Sequence, residues 1–361
     1  MMKTKLVYVL TCSEDKYYIE QAMMSVYSAR HWNPDAHIVL LVDDQTNCLL
    51  VGKRAEILNY ISEKIVVPFE DATLSPVYRS RWIKTSVRQL VQGDFLYIDC
   101  DTIVCGDLLG IDAFDCDIGA VWESHLQVKE YCHSLFELDY YRTMKLGLDL
   151  VAEGVYFSSG VIYAKDTEMA SRLFQQWNKC WVESKELGMG GMDQPALAKA
   201  NHVLRGVIRK IPDEYNCIVF TQNSFTRQAK ILHISSYRNP SYLFTKKVLD
   251  YVRNNGLKNQ WIIDSILNPC ATFLPFDYDV LHSDKRQRRV WIKEIAAFSK
   301  GYGKTIDPSF SDFPMQSRFR GVIVGLMRIK WNGLSAVLWV FWKRRHVWLK
   351  RLEIKDNVCR K

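Results

Sequence analysis

Two aspartates separated by a single residue come directly after a short apolar run, Phe95–Ile98. Side chains alternate between the faces of an extended segment, so Asp99 and Asp101 are expected to point the same way, with Cys100 opposite. Two carboxylates on one side of a strand end form an oxygen-rich site that a hard divalent cation would complete. The alternative is that one aspartate caps a turn and the other is solvated, and the isolated pair does not decide between them.

Three further segments carry residues that could contribute to a site. Asp193 and Gln194 follow the flexible stretch Gly188–Gly191, although Asp193 also suits the N-cap position of a helix. His233 ends a short apolar run that is typical of a strand. Gly160 lies inside another strand-like run, which indicates either a close approach of the backbone to a ligand or a bulge.

These residues are embedded in an alternation of strand-like and helix-like segments. Apolar runs typical of buried parallel strands occur at Lys5–Thr11, His37–Val42, Ile65–Val67 and Phe95–Ile98. Helical spacing occurs between them, at Tyr17–Arg30, Val51–Ile61 and Arg81–Val91. This order predicts an α/β fold with a doubly wound, mostly parallel sheet flanked by helices. No Gly-x-Gly-x-x-Gly follows the first strand and no P-loop motif occurs, so a dinucleotide-binding or P-loop protein is poorly supported.

The second half of the chain continues this pattern and then changes in composition. Strands are predicted at Asp117–Trp122 and Gly154–Tyr163, and a long amphipathic helix at Thr167–Glu186. We expect a catalytic domain over residues 1–250, a helical or irregular extension over 251–315, and a basic, aromatic tail over 316–361.

Positive charge is concentrated in the tail. The chain of 361 residues has a net charge of +8, but residues 316–361 hold 12 Lys and Arg against two Asp and Glu. The remainder is therefore close to neutral, unlike the body of a nucleic-acid-binding protein, and no nucleic-acid partner is expected. The ten cysteines include no Cys-x-x-Cys pair, and the apolar run Leu6–Leu10 is too short for a signal peptide. Both observations favour the cytoplasm, with reduced thiols.

The candidate site residues occur in the same order as the motifs of glycosyltransferase family 8, and the chain therefore resembles this family. Its members are retaining GT-A-fold enzymes that use nucleotide sugars. The resemblance covers about residues 5–242 and rests on Asp99-x-Asp101, Tyr156-Phe-Ser-Ser-Gly160, Asp193-Gln194, and His233 followed by Asn239-Pro240. Each motif alone is weakly specific, and the ordered set carries the similarity. It implies a GT-A-type sheet and the transfer of a hexose from a UDP-sugar donor to a saccharide acceptor.

The resemblance also implies a role for each matched residue. Asp99, Asp101 and His233 would bind Mn²⁺, or Mg²⁺, against the donor's diphosphate. Independently of the family, two carboxylates and an imidazole suit Mn²⁺ and leave room for phosphate oxygens. Gln194 would face the developing oxocarbenium centre, and Asp193 would hold hydroxyls of the donor sugar. The acceptor would attack from the leaving-group side, so no dedicated protein base is expected.

Residues early in the chain are further candidates for donor binding. Thr11, Cys12 and Tyr17 follow the first strand, where the family holds its nucleotide base; ordinary packing is the alternative. Arg81 and Lys84 share a face of one predicted helix. The family commonly has a donor-binding arginine in this region, although a solvated basic face would look the same in sequence.

The remaining donor-binding candidates lie in motifs that depart from the family pattern. In Phe157-Ser-Ser-Gly160 the family's asparagine is replaced by Ser158, which shortens a polar contact to the donor sugar, while Gly160 is kept. In the segment after the histidine, the family's glycine is Ser236 and its diphosphate-binding lysine is Asn239. Arg238 is adjacent and could supply the lost positive charge. These departures bear on the identity of the donor more than on the fold.

The tail combines apolar and basic stretches. Trp331–Trp342 has 12 residues without a charge, and as a helix it would span about 18 Å of a hydrocarbon core about 30 Å thick. The basic cluster Lys343–Arg345 follows directly, a pattern that suits a helix lying in the membrane interface. We therefore expect peripheral association with the anionic inner face of the cell membrane, with a lipid-linked lipopolysaccharide or capsule precursor as acceptor. A C-terminal helix packed on the body is the alternative.

Two other functions stay open at this point. A strand-end Asp-x-Asp also occurs in haloacid-dehalogenase phosphohydrolases, but there it lies near the start of the chain, whereas here it begins at Asp99. A catalytically inactive, membrane-bound sugar-nucleotide-binding protein would account for the substitutions at Ser236 and Asn239.

Overall fold

A computed structural model describes residues 2–125, 127–128, 133–189, 191–218, 228–234 and 242–269. The expected donor-binding residues Ser236, Arg238 and Asn239 lie outside the described residues. So do most of the expected extension and the whole of the expected tail, residues 316–361.

The strands form one large and one small sheet. They are β1 (Lys5–Leu10), β2 (Ile38–Asp43), β3 (Glu63–Val67), β4 (Phe95–Ile98), β5 (Thr102–Val104), β6 (Ile118–Trp122), β7 (Phe157–Ala164), β8 (Arg209–Lys210), β9 (Cys217–Ile218) and β10 (Ile231–His233). The large sheet has the order β3-β2-β1-β4-β7-β6-β8. Strands β3, β2, β1 and β4 run parallel, β7 is antiparallel to β4 and β6, and β8 is parallel to β6. The predicted mostly parallel α/β sheet is confirmed.

Helices cover both faces of the large sheet. They are α1 (Tyr18–Trp32), α2 (Asp44–Leu49), α3 (Pro76–Thr85), α4 (Val87–Leu90), α5 (His133–Lys145), α6 (Leu150–Glu153), α7 (Glu168–Glu186), α8 (Asp193–Val203), α9 (Lys246–Asn255) and α10 (Gln260–Leu267). Alternate residues of β1 serve the two faces: Leu6 and Tyr8 pack in one apolar cluster with α1, and Val7 and Val9 in another with α3 and α7. Within the described part of the chain, none of the helices has both the length and the apolar character needed to span a bilayer.

The small sheet, of order β5-β10-β9, receives the chain directly after the aspartate pair. The chain leaves the large sheet at Ile98, turns, and enters the small sheet at Thr102, whose hydroxyl donates to the Asp99 carbonyl at 2.8 Å. Asp99 and Asp101 therefore lie in a turn between two sheets. The sequence analysis assumed instead that they lie along an extended strand. A short apolar run after a strand does not reveal such a change of sheet.

Two predicted helices differ in detail from the structure. The segment expected as a helix at 51–61 is a 3₁₀ helix, Gly52–Asn59. The helix expected at 81–91 is divided into α3 and α4 at Ser86. The Thr85 hydroxyl donates to a carbonyl one turn earlier at 2.8 Å, and side-chain hydroxyls that bond the backbone in this way perturb a regular helix.

The helix α9 attaches the later part of the described chain to its beginning. It spans the expected boundary at residue 250. Its Arg253 forms an ion pair of 3.0 Å with the buried Glu20 of α1, and the Tyr17 hydroxyl donates to Asp250. Residues on both sides of position 250 therefore pack against the N-terminal region.

Candidate functional site

The two aspartates after β4 meet the histidine at the end of β10. One ligand atom each from Asp99, Asp101 and His233 lies within 4.8 Å of the others, and Nε2 of His233 is 3.2 Å from an oxygen of Asp101. The sheet register brings them together, because His233 pairs with Thr102, the residue that follows the aspartates. The three side chains that the sequence singled out as metal ligands are thus neighbours.

Gly160 makes room for this cluster. It lies in β7, beside β4, and its carbonyl accepts a hydrogen bond of 2.8 Å from the Asp99 amide. A Cβ atom at this position would lie 2.3 Å from Cε1 of His233 and 3.2 Å from an oxygen of Asp99. Any side chain here would displace the imidazole. The close-approach interpretation of Gly160 fits this geometry, and its close neighbours are the candidate ligands themselves.

Asp101 and His233 stabilise each other's charged form. Burial raises the pKa of Asp101, but His233 beside it lowers that pKa to a net value below the ordinary one. Burial lowers the pKa of His233, and Asp101 more than offsets this, so the net pKa lies above the ordinary value. The turn therefore places two carboxylates beside an imidazole, which pairs with Asp101.

A buried lysine joins the aspartate turn to the second half of the site. Nζ of Lys84 lies 3.1 Å from Asp99 and 2.9 Å from Asp193, and the side chain is 2% exposed. The Tyr97 hydroxyl also donates to Asp99. Burial, followed by the charge of Asp99, raises the pKa of Tyr97 well above its ordinary value, so the hydroxyl keeps its proton.

Asp193 is held by two cations and a hydroxyl. Its carboxylate lies 2.9 Å from Nε of Arg81 and 2.9 Å from Nζ of Lys84, and it accepts a hydrogen bond of 2.9 Å from Ser159. Burial would raise the pKa of this carboxyl, but Arg81 and Lys84 hold it far below its ordinary value. Met192, and not Asp193, occupies the N-cap position of α8, which leaves the carboxylate to the site.

The amide of Gln194 has a defined orientation. Its Oε1 accepts a hydrogen bond of 3.2 Å from the Ser159 amide, and its Nε2 donates to Glu123 at 3.1 Å. Glu123 follows β6 directly, and its own amide donates to the Tyr156 carbonyl at 2.7 Å. Two neighbouring strands therefore fix this side chain beside Asp193.

The two faces of β7 serve different parts of the site. Ser158 and Gly160 share one face, where Oγ of Ser158 lies 3.2 Å from Nδ2 of Asn216 and Gly160 adjoins His233. Ser159 points the other way, toward Asp193. This strand is the common wall between the candidate metal ligands and the candidate sugar-binding residues.

The residues of this arrangement that the sequence analysis missed include Ser159, Glu123 and Asn216. Ser159 stands inside the quoted motif, and its position between Ser158 and Gly160 could have indicated the opposite face. Glu123 is a strand-end acid, a signal too common to be informative alone. Asn216 precedes the two-residue strand β9, which has no recognisable pattern.

The residues expected at the nucleotide base lie at the same edge of the sheet but make other contacts. Tyr8 pairs with Ile98 in the parallel register of β1 and β4, so the residues after both strands lie side by side. The Thr11 hydroxyl donates to the Pro76 carbonyl at 2.7 Å, and the Cys12 amide donates to Thr46 at 2.7 Å. Arg253 covers the ring of Tyr17 at 4.1 Å, which ties that residue to α9.

The donor set of the aspartate–histidine cluster fits a divalent metal ion. Carboxylates and a histidine are ligands of Mn²⁺, and three protein ligands leave positions for other oxygens. Gly160 contributes no side chain that would fill the space. Asp99, Asp101 and His233 could therefore hold a metal ion together.

Solved structures similar to this chain share a common class. Mouse xyloside xylosyltransferase 1 is 12% identical, with 65% of this chain and 98% of that chain covered and a TM-score of 0.43. GlyE of Streptococcus pneumoniae is 18% identical, with 76% and 66% covered and a TM-score of 0.44. The galactosyltransferase LgtC, solved with donor and acceptor sugar analogues, is 15% identical, with 73% and 96% covered and a TM-score of 0.44. All three are glycosyltransferases.

No protein-family model matches the chain, and no curated protein is similar to it in sequence. Donor, acceptor and metal therefore have to be argued from the residues of the site.

Proposed function

We propose that this protein is a metal-dependent glycosyltransferase that moves a hexose from a UDP-sugar to a saccharide acceptor, with retention of the anomeric configuration. The observation that carries the proposal is the convergence of Asp99, Asp101 and His233 within 4.8 Å. A second polar group, formed around Asp193 and Gln194, lies next to them. Lys84 bridges the two, because its ammonium contacts both Asp99 and Asp193.

The aspartate–histidine cluster suits the leaving-group side of the reaction. Asp99, Asp101 and His233 would hold Mn²⁺ or Mg²⁺ at the end of β4, where open α/β sheets bind ligands. When bound, the cation would neutralise charge on the diphosphate as the glycosidic bond breaks. Lys84 and Arg81 add positive charge on the side toward Asp193.

Asp193 suits recognition of the donor sugar. Its low pKa keeps it ionised and therefore an acceptor for hydroxyl groups. Three neighbours already bond it, so its orientation is set before a sugar arrives. The cost of ordering that side chain is therefore not incurred on binding.

Gln194 suits the reacting carbon. An oxocarbenium-like centre is stabilised by a polar group on the face opposite the leaving group. Because Nε2 donates to Glu123 and Oε1 accepts from the Ser159 amide, the amide dipole has a fixed direction. A preorganised dipole of this kind stabilises developing charge without reorganisation.

The acceptor proposal comes from the tail. Residues 316–361 are rich in Lys, Arg and Trp, which favours a surface of anionic lipid. We therefore propose that the enzyme associates with the cytoplasmic face of the cell membrane and that a lipid-linked saccharide is its acceptor.

A panel of UDP-sugars with Mn²⁺ tests the proposal. The purified protein is expected to release UDP slowly from one member of the panel, and faster when a saccharide acceptor is present. Release of phosphate from simple monoesters would instead identify a phosphohydrolase. Binding of UDP without turnover of any donor would identify an inactive sugar-nucleotide-binding protein, and either result would overturn the transferase.

A further inference from the structure

We propose that Asn216 is a positioning residue that holds the imidazole of His233 in the orientation and tautomer needed for metal binding, and that Ser158 holds Asn216. The inference deepens the proposed metal site and rests on it, but it does not depend on which sugar is transferred. Asn216 belongs to none of the motifs that carry the resemblance to glycosyltransferases.

The contacts form a chain of three side chains, of which Asn216 and Ser158 are buried and His233 is partly buried. Oδ1 of Asn216 lies 3.1 Å from Nδ1 of His233, and its Nδ2 donates to Oγ of Ser158 at 3.2 Å. Asn216 is fully buried and Ser158 is 2% exposed, so water competes little for these bonds. Because Oδ1 is only an acceptor, it selects the tautomer of His233 that carries a proton on Nδ1.

In neutral His233, that tautomer leaves Nε2 for the cation. Nε2 is the nitrogen that lies toward the aspartates, 3.2 Å from Asp101. A histidine that ligates a metal through one nitrogen usually donates from the other to a fixed acceptor, and loss of the acceptor weakens metal binding. Asn216 stands where that acceptor is required.

The backbone supports Asn216 on both sides. Ile218, two residues later, pairs with His233 in the parallel register of β9 and β10. The Ile218 amide donates to Nε2 of the buried His125 at 3.1 Å. On the other side, Asp213 forms an ion pair of 3.0 Å with Lys210. The asparagine is therefore presented to His233 by an anchored segment.

This assignment gives Ser158 a role different from the one the resemblance implies. Its hydroxyl was expected to contact the donor sugar. In the structure that hydroxyl accepts from Nδ2 of Asn216 and lies 3.4 Å from the amide nitrogen of Gly160. We infer that Ser158 fixes which end of the Asn216 amide faces His233.

The inference is tested by titrating the protein with Mn²⁺ in the absence of donor and acceptor. The EPR signal of the free ion measures how much Mn²⁺ is bound. Asn216→Leu keeps the size and removes the acceptor, and it is expected to weaken Mn²⁺ binding about 10- to 100-fold. Asn216→Asp keeps an acceptor oxygen and should bind within about threefold of the wild type. Asn201→Leu is the matched control. Asn201 is also buried, but it lies at the end of α8 away from Asp193, where it accepts a hydrogen bond from the Ile208 amide.

The outcomes separate this inference from the proposed function. If Asn216→Leu is folded and binds Mn²⁺ as tightly as the wild type, the positioning role is overturned while the metal site stands. Should that variant fail to fold, Ser158→Ala serves instead, with an expected several-fold loss; unchanged binding would again overturn the role. A wild-type protein that binds no Mn²⁺ would overturn the proposed metal dependence itself, and this inference with it.

Discussion

Asp193 shows how neighbouring charges keep a buried carboxylate ionised. Burial favours the neutral form, but Arg81 and Lys84 hold the pKa far below its ordinary value. A depressed folded-state pKa contributes stability that is fully present above the unfolded pKa, about 3.9. That contribution is lost as the pH falls from there toward the folded pKa.

The first prediction follows from this pH dependence of the stability. Asp193→Asn should lower the free energy of unfolding by about 3 kcal/mol at pH 7, since it leaves the buried Lys84 and the partly buried Arg81 with one partner fewer. The difference from the wild type should narrow as the pH falls below about 4. Urea unfolding at pH 7 and pH 3.5 measures both values. The exposed Asp35→Asn is the control, and a difference that grows in acid would contradict the argument.

The second prediction concerns Gln194. Gln194→Ala should lower kcat by roughly 10²-fold, because a preorganised dipole next to the developing charge is lost. UDP affinity should change little, since the proposed role begins only as the glycosidic bond breaks. Steady-state kinetics and UDP titration give the two quantities, with the exposed Gln89→Ala as control. A large loss of UDP affinity at unchanged kcat would place Gln194 in donor binding instead.

At the scale of single residues, the sequence predicts those site residues that belong to an ordered set of motifs. Asp99, Asp101 and His233 were expected together, and they are neighbours. Asn216 could not be found, because its role comes from a contact across the small sheet and from no local pattern. Ser236 and the two other candidates of its segment lie outside the described residues, and their roles stay predictions.

At the scale of elements, helix α7 supports the segment that carries Asp193. Nε1 of Trp177 donates to the Asp193 carbonyl at 2.8 Å, and Nε1 of Trp181 donates to the Gly191 carbonyl at 3.0 Å. The two tryptophans are four residues apart, so they share one helix face. The helix thereby holds the backbone at Gly191 and at Asp193.

The third prediction tests this support. Trp177→Phe keeps an aromatic ring and removes the donor, so it should lower the free energy of unfolding by about 1 to 2 kcal/mol. It should also lower kcat roughly 2- to 10-fold, because Asp193 loses its backbone anchor. Thermal unfolding and kinetics are compared with those of Trp82→Phe, since Trp82 lies in α3 and packs edge to face against Phe69. Reduced stability with unchanged kinetics would limit Trp177 to a packing role.

The elements were easier to predict than their connections. Near-continuous apolar runs identify β1, β2 and β4, because buried parallel strands have no polar face. The turn at Asp99 and the pairing of β5 with β10 could not be predicted, since the partner strand comes more than a hundred residues later. The division of the predicted helix at Ser86 likewise depends on hydroxyl contacts that periodicity does not show.

At the scale of the whole molecule, the charge distribution separates a nearly neutral body from a basic tail. The described residues after position 250 belong with the body, because Arg253 pairs with Glu20 and α9 packs on α1. A shortened protein should therefore keep these helices and end near Pro314.

The fourth prediction uses that shortened chain. The full-length protein should float with liposomes of anionic lipid at low salt, since each basic residue near such a surface contributes about 1 kcal/mol. Raising the salt should release it. The chain ending near Pro314 should stay at the bottom of the gradient and still hydrolyse donor. Equal flotation of both proteins would mean that the tail is not the anchor, and the lipid-linked acceptor would lose its support.

The fifth prediction concerns the central claim, that Asp99, Asp101 and His233 form the metal site of a UDP-sugar transferase. The measurement is UDP release from the donor found in the panel, first with Mn²⁺, then in EDTA, then with Mn²⁺ restored. Activity should disappear in EDTA and return with the metal. Asp101→Asn should remain folded and lose at least about 10²-fold of the activity at every Mn²⁺ concentration. Full activity in EDTA, or an Asp101→Asn variant as active as the wild type, would contradict the account.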